Sequence, residues 1–147
     1  PGGHIEPLTE AHPTLTYNRI GRHLSGMVHT KVISTKSPWM SDMKAGEIYT
    51  VPISHGEGRF IASPAQVLEF NKTGQIATQY VDFNGIASMD SRFNPNQSVA
   101  AIEGIFSPDG RVFGKMAHSE RVGYGISKNI PGQLEMPIFT SGVKYFK

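Results

Sequence analysis

His118 and Glu120 stand two positions apart in GRVFGKMAHSERVG, residues 110–123, just beyond the second strand of a readable hairpin. A histidine at a strand end with a carboxylate close by can be held in one tautomer and kept basic enough to deprotonate a thiol or hydroxyl. The glutamate would orient the ring and stabilise the imidazolium after proton transfer. H-x-E taken alone reads more simply as a surface histidine near a glutamate that pairs with Arg121. A nucleophilic site would also need a nucleophile. The chain has no cysteine, and no Ser or Thr stands in a G-x-S-x-G elbow.

A second cluster is SHGEGRF, residues 54–60, after an apolar run. Gly56 and Gly58 allow close backbone approach or positive φ, while His55, Glu57 and Arg59 present charge where α/β sheets place ligands. The alternative is a glycine-bearing turn with solvated charges. His55 and Glu57 repeat the H-x-E spacing of His118 and Glu120, and four such groups can in principle hold Zn or Mn. Neither pair has helical i, i+4 spacing, and His4, His12, His23 and His29 form no ligand cluster in sequence, so no metal is expected. The glycines form neither G-x-G-x-x-G nor a phosphate-binding loop, which leaves a nucleotide site unsupported.

The 147 residues have room for one domain. Fourteen Lys and Arg against 12 Asp and Glu give a net charge of +2, and these charges are scattered. Neither a nucleic-acid patch nor a polybasic membrane segment is visible. Apolar runs fall far below the roughly 20 residues of a membrane span, and no signal peptide opens the chain. A soluble, cytoplasmic protein is expected. The opening PGGHIEP lacks an initiator Met, as a fragment or processed product would.

The elements that must position these residues follow from local patterning. Residues 1–21 read as loop with one short helix, and 26–35 alternate as a strand. Residues 37–47 read as a loop or short helix ended by Gly46. IYTVPIS, 48–54, reads as a strand buried on both faces, with Pro52 arguing against it. SPAQVLEFNKTGQ, 63–75, has a Ser63 cap, Pro64 in the first turn and Gly74 as a stop, so a helix is predicted. QIATQYVDFNG, 75–85, reads as a strand closing on Asn84-Gly85. RFNPNQS, 92–98, reads as a structural loop in which Asn94 and Asn96 bond their own backbone. Two apolar runs around Pro108-Asp109-Gly110 predict a hairpin over 100–118, and a last short helix is expected around 139–146. Trp39 and Met40 are read as packing residues. Strands mixed with helices predict an α/β layered fold.

The ordered series GEIYTVPISHGEGRF, QIATQYVD, FNPNQS and IEGIFSPDGRVFGKMAHSER resembles the glutaminase domain of phosphoribosylformylglycinamidine synthase, a triad-type (class I) glutamine amidotransferase. The resemblance runs from about Leu15 to Arg121, with its motifs in family order. It implies a flavodoxin-like three-layer α/β fold, present as its C-terminal portion (residues 1–147) with a terminal β-hairpin. In that family a cysteine attacks the side-chain amide of glutamine, forms a thioester and releases ammonia. A synthetase part, using ATP and Mg, consumes the ammonia to convert formylglycinamide ribonucleotide to its amidine in purine biosynthesis.

The family's catalytic histidine and glutamate lie in a segment of the form M-P-H-P-E-R, which aligns with Met116 to Arg121. The resemblance makes His118 the general base and acid, and Glu120 its orienter. Ala117 and Ser119 replace both prolines of the segment, and the cysteine elbow belongs to the half of the domain preceding this chain. The isolated chain is therefore expected to be inactive. Backbone at Ser54, His55 and Gly56 would meet the glutamine, and the FNPNQS loop would lie near the synthetase domain or subunit. No cofactor is expected in this chain itself. An uncovered apolar face would favour self-association. The competing interpretation is a non-enzymatic amidotransferase-like module that docks on a synthetase.

Overall fold

The computed structural model describes residue 9 and residues 11–147. The part of the loop-and-helix expectation that falls on residues 1–8 and 10 lies outside them. Along the described residues run β1 Thr14–Thr16, β2 Leu24–Val32, β3 Ile48–His55, β4 Arg59–Ile61, α1 Pro64–Lys72, β5 Ile76–Tyr80, β6 Ile102–Phe106, β7 Phe113–Lys115 and α2 Ile138–Tyr145. Single 3-10 turns occupy Pro38–Met40 and Val99–Ala101. Five strands make one sheet in the order β3-β2-β5-β6-β7, and β1 pairs with β4 as a separate ribbon. All of these pairings are antiparallel. The fold is mixed α/β, as expected.

Local chemistry accounts for most boundaries. Ser63 accepts from the Gln66 amide while the Gln66 side chain accepts from the Ser63 amide, a reciprocal cap that starts α1 with Pro64 in its first turn. Gly74 follows the helix at φ +69°. The hairpin turns through Gly110 at φ +75°, with Asp109 accepting from the Ser107 hydroxyl and the Arg111 amide. Two short strands, β1 and β4, were not expected from sequence. Three residues each are too few to show a period, and β4 falls inside a stretch that reads as a glycine turn.

β3 is an edge strand, which explains Pro52. This residue pairs in register with Met27, but its carbonyl points away from β2 and accepts the His118 amide at 2.8 Å. The N and C=O of one residue lie on the same side of a strand, so the missing N–H also faces away from β2 and costs no ladder bond. Two positions earlier, the Thr50 amide donates to Gln133 O at 2.8 Å. Backbone from the C-terminal third thus covers the edge and buries Thr50 to 4% exposure.

The same bonds force the sheet to curl. Met116 N donates to Glu103 O on β6, and two residues later His118 N donates to Pro52 O on β3. A flat sheet would separate the β3 and β7 edges by about 19 Å at the usual strand spacing. Two Cα steps cover at most about 7–8 Å. The large apolar cluster of Val28, Val51, Tyr80, Phe106, Met136 and Ile138, among others, fills the curl, with Trp39 packed against it. The Trp39 indole donates to Arg111 O at 2.9 Å and its ring lies over Gly142 of α2. A smaller cluster of Phe60, Ile76 and Ile102 packs with Val67 and Phe70 of α1.

Gly104 on β6 has no room for a side chain. A Cβ there would lie 2.5 Å from Thr78 Oγ1 and 2.9 Å from the Phe113 ring. Gly104→Ala is expected to lower stability by about 1–3 kcal/mol through overpacking. Urea denaturation checks this, and an unchanged midpoint would refute it.

Candidate functional site

The His118 ring reaches Glu120 directly, with Nδ1 donating to the carboxylate at 2.7 Å. The neutral ring then carries its lone pair on Nε2, the tautomer a general base requires. Nε2 lies 3.5 Å from the Ser54 carbonyl oxygen. Arg121 Nε stands 3.8 Å from the same Glu120 oxygen, so both sequence readings of this glutamate describe real contacts. Burial is the largest single influence on the Glu120 carboxyl and pushes it up. The backbone amide of Glu120, the His118 ring and Arg121 together outweigh it and leave the group below its ordinary value. Glu120 is therefore a carboxylate throughout the range in which an imidazole titrates. A cleft of about 410 Å³ opens onto the pair, lined by Trp39, Phe113, Met116, His118, Glu120 and Phe139 among others.

The loop carrying this pair is held from beneath by a residue that the motif search missed. Glu103, 2% exposed on β6, accepts from the amides of Met116 at 3.1 Å and Ala117 at 2.7 Å, and from the Thr78 hydroxyl. Lys115 Nζ lies 3.3 Å from the same carboxylate and also donates to Ala117 O and to Ser119 Oγ. The available signal was a charge inside each strand of an otherwise apolar hairpin.

Ser54, His55 and Gly56 lie at the end of β3 beside this pair, and Asn18 organises them. Its side chain donates to His55 O at 2.7 Å and accepts from the Gly58 amide at 3.2 Å, while its own amide donates to Gly56 O at 2.8 Å. Two of the three backbone carbonyls are thus already engaged, and the Ser54 carbonyl is the one that faces His118. The Ser54 hydroxyl meets His23 Nε2 at 3.3 Å. Of the two uses expected of Gly56 and Gly58, close approach or positive φ, neither glycine adopts positive φ and Gly58 serves close approach. A Cβ at 58 would run into the His55 ring, whereas one at 56 would meet nothing.

The Asn-rich loop splits in its behaviour. Asn94 bonds locally to Ser98, as expected. Asn96 does not bond its own backbone and instead donates to Gly58 O at 2.6 Å and to the Tyr80 hydroxyl at 2.9 Å. Asn94, Asn96 and Ser98 are all fully buried. Among the described residues, no three His, Cys, Asp or Glu side chains gather as a metal site, and no helix is long and apolar enough to cross a membrane.

His55 donates from Nδ1 toward Asn18 Oδ1 at 3.3 Å, and its Nε2 is buried without a partner among the described residues. Burial above all, with charge on His118 and His23, pushes this ring below its ordinary value, against a backbone hydrogen bond and the Glu103 carboxylate that pull it up. The unfolded chain takes up a proton at this residue near pH 6.5 while the folded chain resists it. The stability it contributes is therefore complete above about pH 6.5 and lost as pH falls toward its depressed value. The melting temperature is expected to fall between about pH 7 and pH 5, with a shallower slope in His55→Gln. Equal slopes would remove His55 from the account.

With this geometry in view, comparison with known proteins is informative. The sequence matches the CobB/CobQ-like glutamine amidotransferase domain over residues 1–146. It is 38% identical over 94 residues to phosphoribosylformylglycinamidine synthase subunit PurQ of Thermomicrobium roseum, covering 64% of this chain and 39% of that protein. It is 32% identical over 141 residues to the PurQ subunit of Methanosarcina barkeri, covering 94% and 59%. The fold superposes on a chain of the PurLQS structure from Thermotoga maritima with a TM-score of 0.67 and 25% identity, covering 92% of this chain and 54% of the other. This chain therefore spans about two fifths to three fifths of these relatives, and its fold is that of class I glutamine amidotransferases. By the extent of that match, the chain belongs to the CobB/CobQ-like glutamine amidotransferase domain family.

Proposed function

We propose that residues 1–147 are the C-terminal part of the glutaminase domain of a phosphoribosylformylglycinamidine synthase, and that His118 and Glu120 are two members of its catalytic triad. The observation that carries this reading is the 2.7 Å bond from His118 Nδ1 to Glu120, on the Met116–Arg121 segment of a chain in an amidotransferase family. The third member is a cysteine in the part of the domain that the relatives possess and this chain does not span.

In this mechanism His118 Nε2 removes the cysteine thiol proton, and the thiolate attacks the side-chain amide carbon of glutamine. Glu120 holds the ring and stabilises the imidazolium. His118 returns its proton to the departing nitrogen as the C–N bond breaks, releasing ammonia and leaving a thioester. Water, deprotonated by His118, hydrolyses the thioester to glutamate and frees the cysteine. Ser54, His55 and Gly56 form the wall of the glutamine site, with the Ser54 carbonyl as the acceptor nearest the base.

The ammonia feeds an ATP-dependent carbon–nitrogen ligase that converts formylglycinamide ribonucleotide to its amidine. ATP and Mg belong to the synthetase part. The partner is a synthetase domain or subunit, and the setting is the cytoplasm. Exposed Phe83, Ile86, Val112 and Tyr124 accord with surfaces that other parts of the assembly cover and with self-association of the chain alone.

Glutamate release from glutamine by the complete enzyme tests the assignment. His118→Ala is expected to lower kcat by about 10⁴-fold or more while KM changes little. A folded variant with near-normal turnover would sink the role of His118. A wild-type enzyme that is inactive with its partners and substrates present would favour the docking-module interpretation instead.

A further inference from the structure

Resting on the reading of His118 as the base, we propose that Glu103 is a positioning residue, and that with Lys115 it forms a buried clamp fixing the histidine loop.

Within the segment Met116–Arg121, Ala117 and Ser119 flank His118 on either side. Ala117 and Ser119 are both buried to 4% exposure, and the pair from the hairpin engages each of them. The Ala117 amide donates to Glu103 at 2.7 Å, the shorter of the two amide bonds to that carboxylate. Lys115 Nζ donates to the Ala117 carbonyl at 2.9 Å and to the Ser119 hydroxyl at 3.1 Å, and that hydroxyl in turn meets Met136 Sδ at 3.4 Å. The clamp therefore grips the residue before His118 and the residue after it.

The Glu103 carboxylate also accepts from the buried Thr78 hydroxyl, which anchors it to β5. The side chains of Glu103 and Lys115 are 0% and 11% exposed. A buried ion pair is weak evidence of stabilisation, and its clearest use is to fix one conformation among several. Here the conformation fixed is that of residues 116–118, which ends with the His118 amide on Pro52 O and its ring between Glu120 and Ser54. Charge-assisted bonds to backbone amides are short and strong, so they hold those amides in place.

The test uses the complete enzyme and two sets of substitutions. Glu103→Ala with Lys115→Met removes the clamp without leaving a lone buried charge. Adding Ala117→Pro and Ser119→Pro then supplies a different restraint, by fixing φ on both sides of His118. The first variant is expected to melt cooperatively, to lose roughly 10²-fold in kcat for glutamine hydrolysis with little change in KM, and to exchange amide hydrogen faster across residues 113–121. The second is expected to recover most of the lost kcat and the slow exchange.

A folded clamp-less variant with wild-type kcat and exchange overturns the proposal, and so does a folded proline variant that stays as slow as its parent. If the first variant does not fold, Glu103→Gln keeps the volume and removes the charge. Unchanged exchange and kcat in that variant likewise overturn the clamp. Exchange is read by mass spectrometry and needs no turnover. An enzyme inactive in every form would therefore sink the glutaminase reading while the exchange data still decide the clamp.

Discussion

Between Met116 and His118 the backbone can advance at most about 7–8 Å, yet it must connect the β6–β7 end of the sheet to the outer edge of β3. That reach sets the curvature. It brings Pro52 O within 2.8 Å of the His118 amide, gives the β3 edge a backbone partner and closes the large apolar cluster over its interior. It also brings the end of β3, with Ser54 and His55, against the histidine that follows β7. The site is a consequence of sheet closure, and the two residues of H-x-E acquire a setting only because the sheet's ends meet.

A chain segment under that demand has to be held. Glu103 and Lys115 do this from below, through backbone amides, a carbonyl and a serine hydroxyl. On the other side of the site, Asn18 and Asn96 do the equivalent work for the loop from His55 to Gly58. Asn18 reaches the His55 carbonyl and the Gly58 amide, and Asn96 reaches the Gly58 carbonyl. Both walls are therefore built on buried polar side chains that satisfy backbone groups, an arrangement that specifies one conformation because a displaced partner would be left unpaired in a dry interior. Left-handed backbone at Gln97, Ala100 and Ala101, unusual for residues with a Cβ, accompanies the buried Asn96 and Ser98.

The electrostatics of the two histidines diverge for the same structural reason. His118 has a carboxylate on Nδ1 and opens onto a cleft. His55, close by, is enclosed, has an amide oxygen as its partner and is pushed toward the neutral form. The two imidazoles thus sit in different surroundings, one hydrogen-bonded to a carboxylate beside a cleft and the other held near neutral among buried groups.

Sequence alone determined whatever depends on neighbours along the chain. The Ser63–Gln66 cap and Pro64, the Pro-Asp-Gly turn, the alternation of β2 and the H-x-E spacing are short-range relations, and all are realised as local structure. The family resemblance likewise rested on motifs legible in order. Tertiary structure decided what depends on partners far apart in the chain. Pro52 fits a strand because its carbonyl faces outward to His118, and Asn96 is a buried long-range partner of Gly58 and Tyr80 where its spacing alone reads as a turn. Glu103 and Lys115 carried no motif at all. Their significance lies in contacts to amides and a hydroxyl that only the folded hairpin brings within reach, because hydrogen bonding and burial are set by distance in space and sequence spacing reports that distance only within an element.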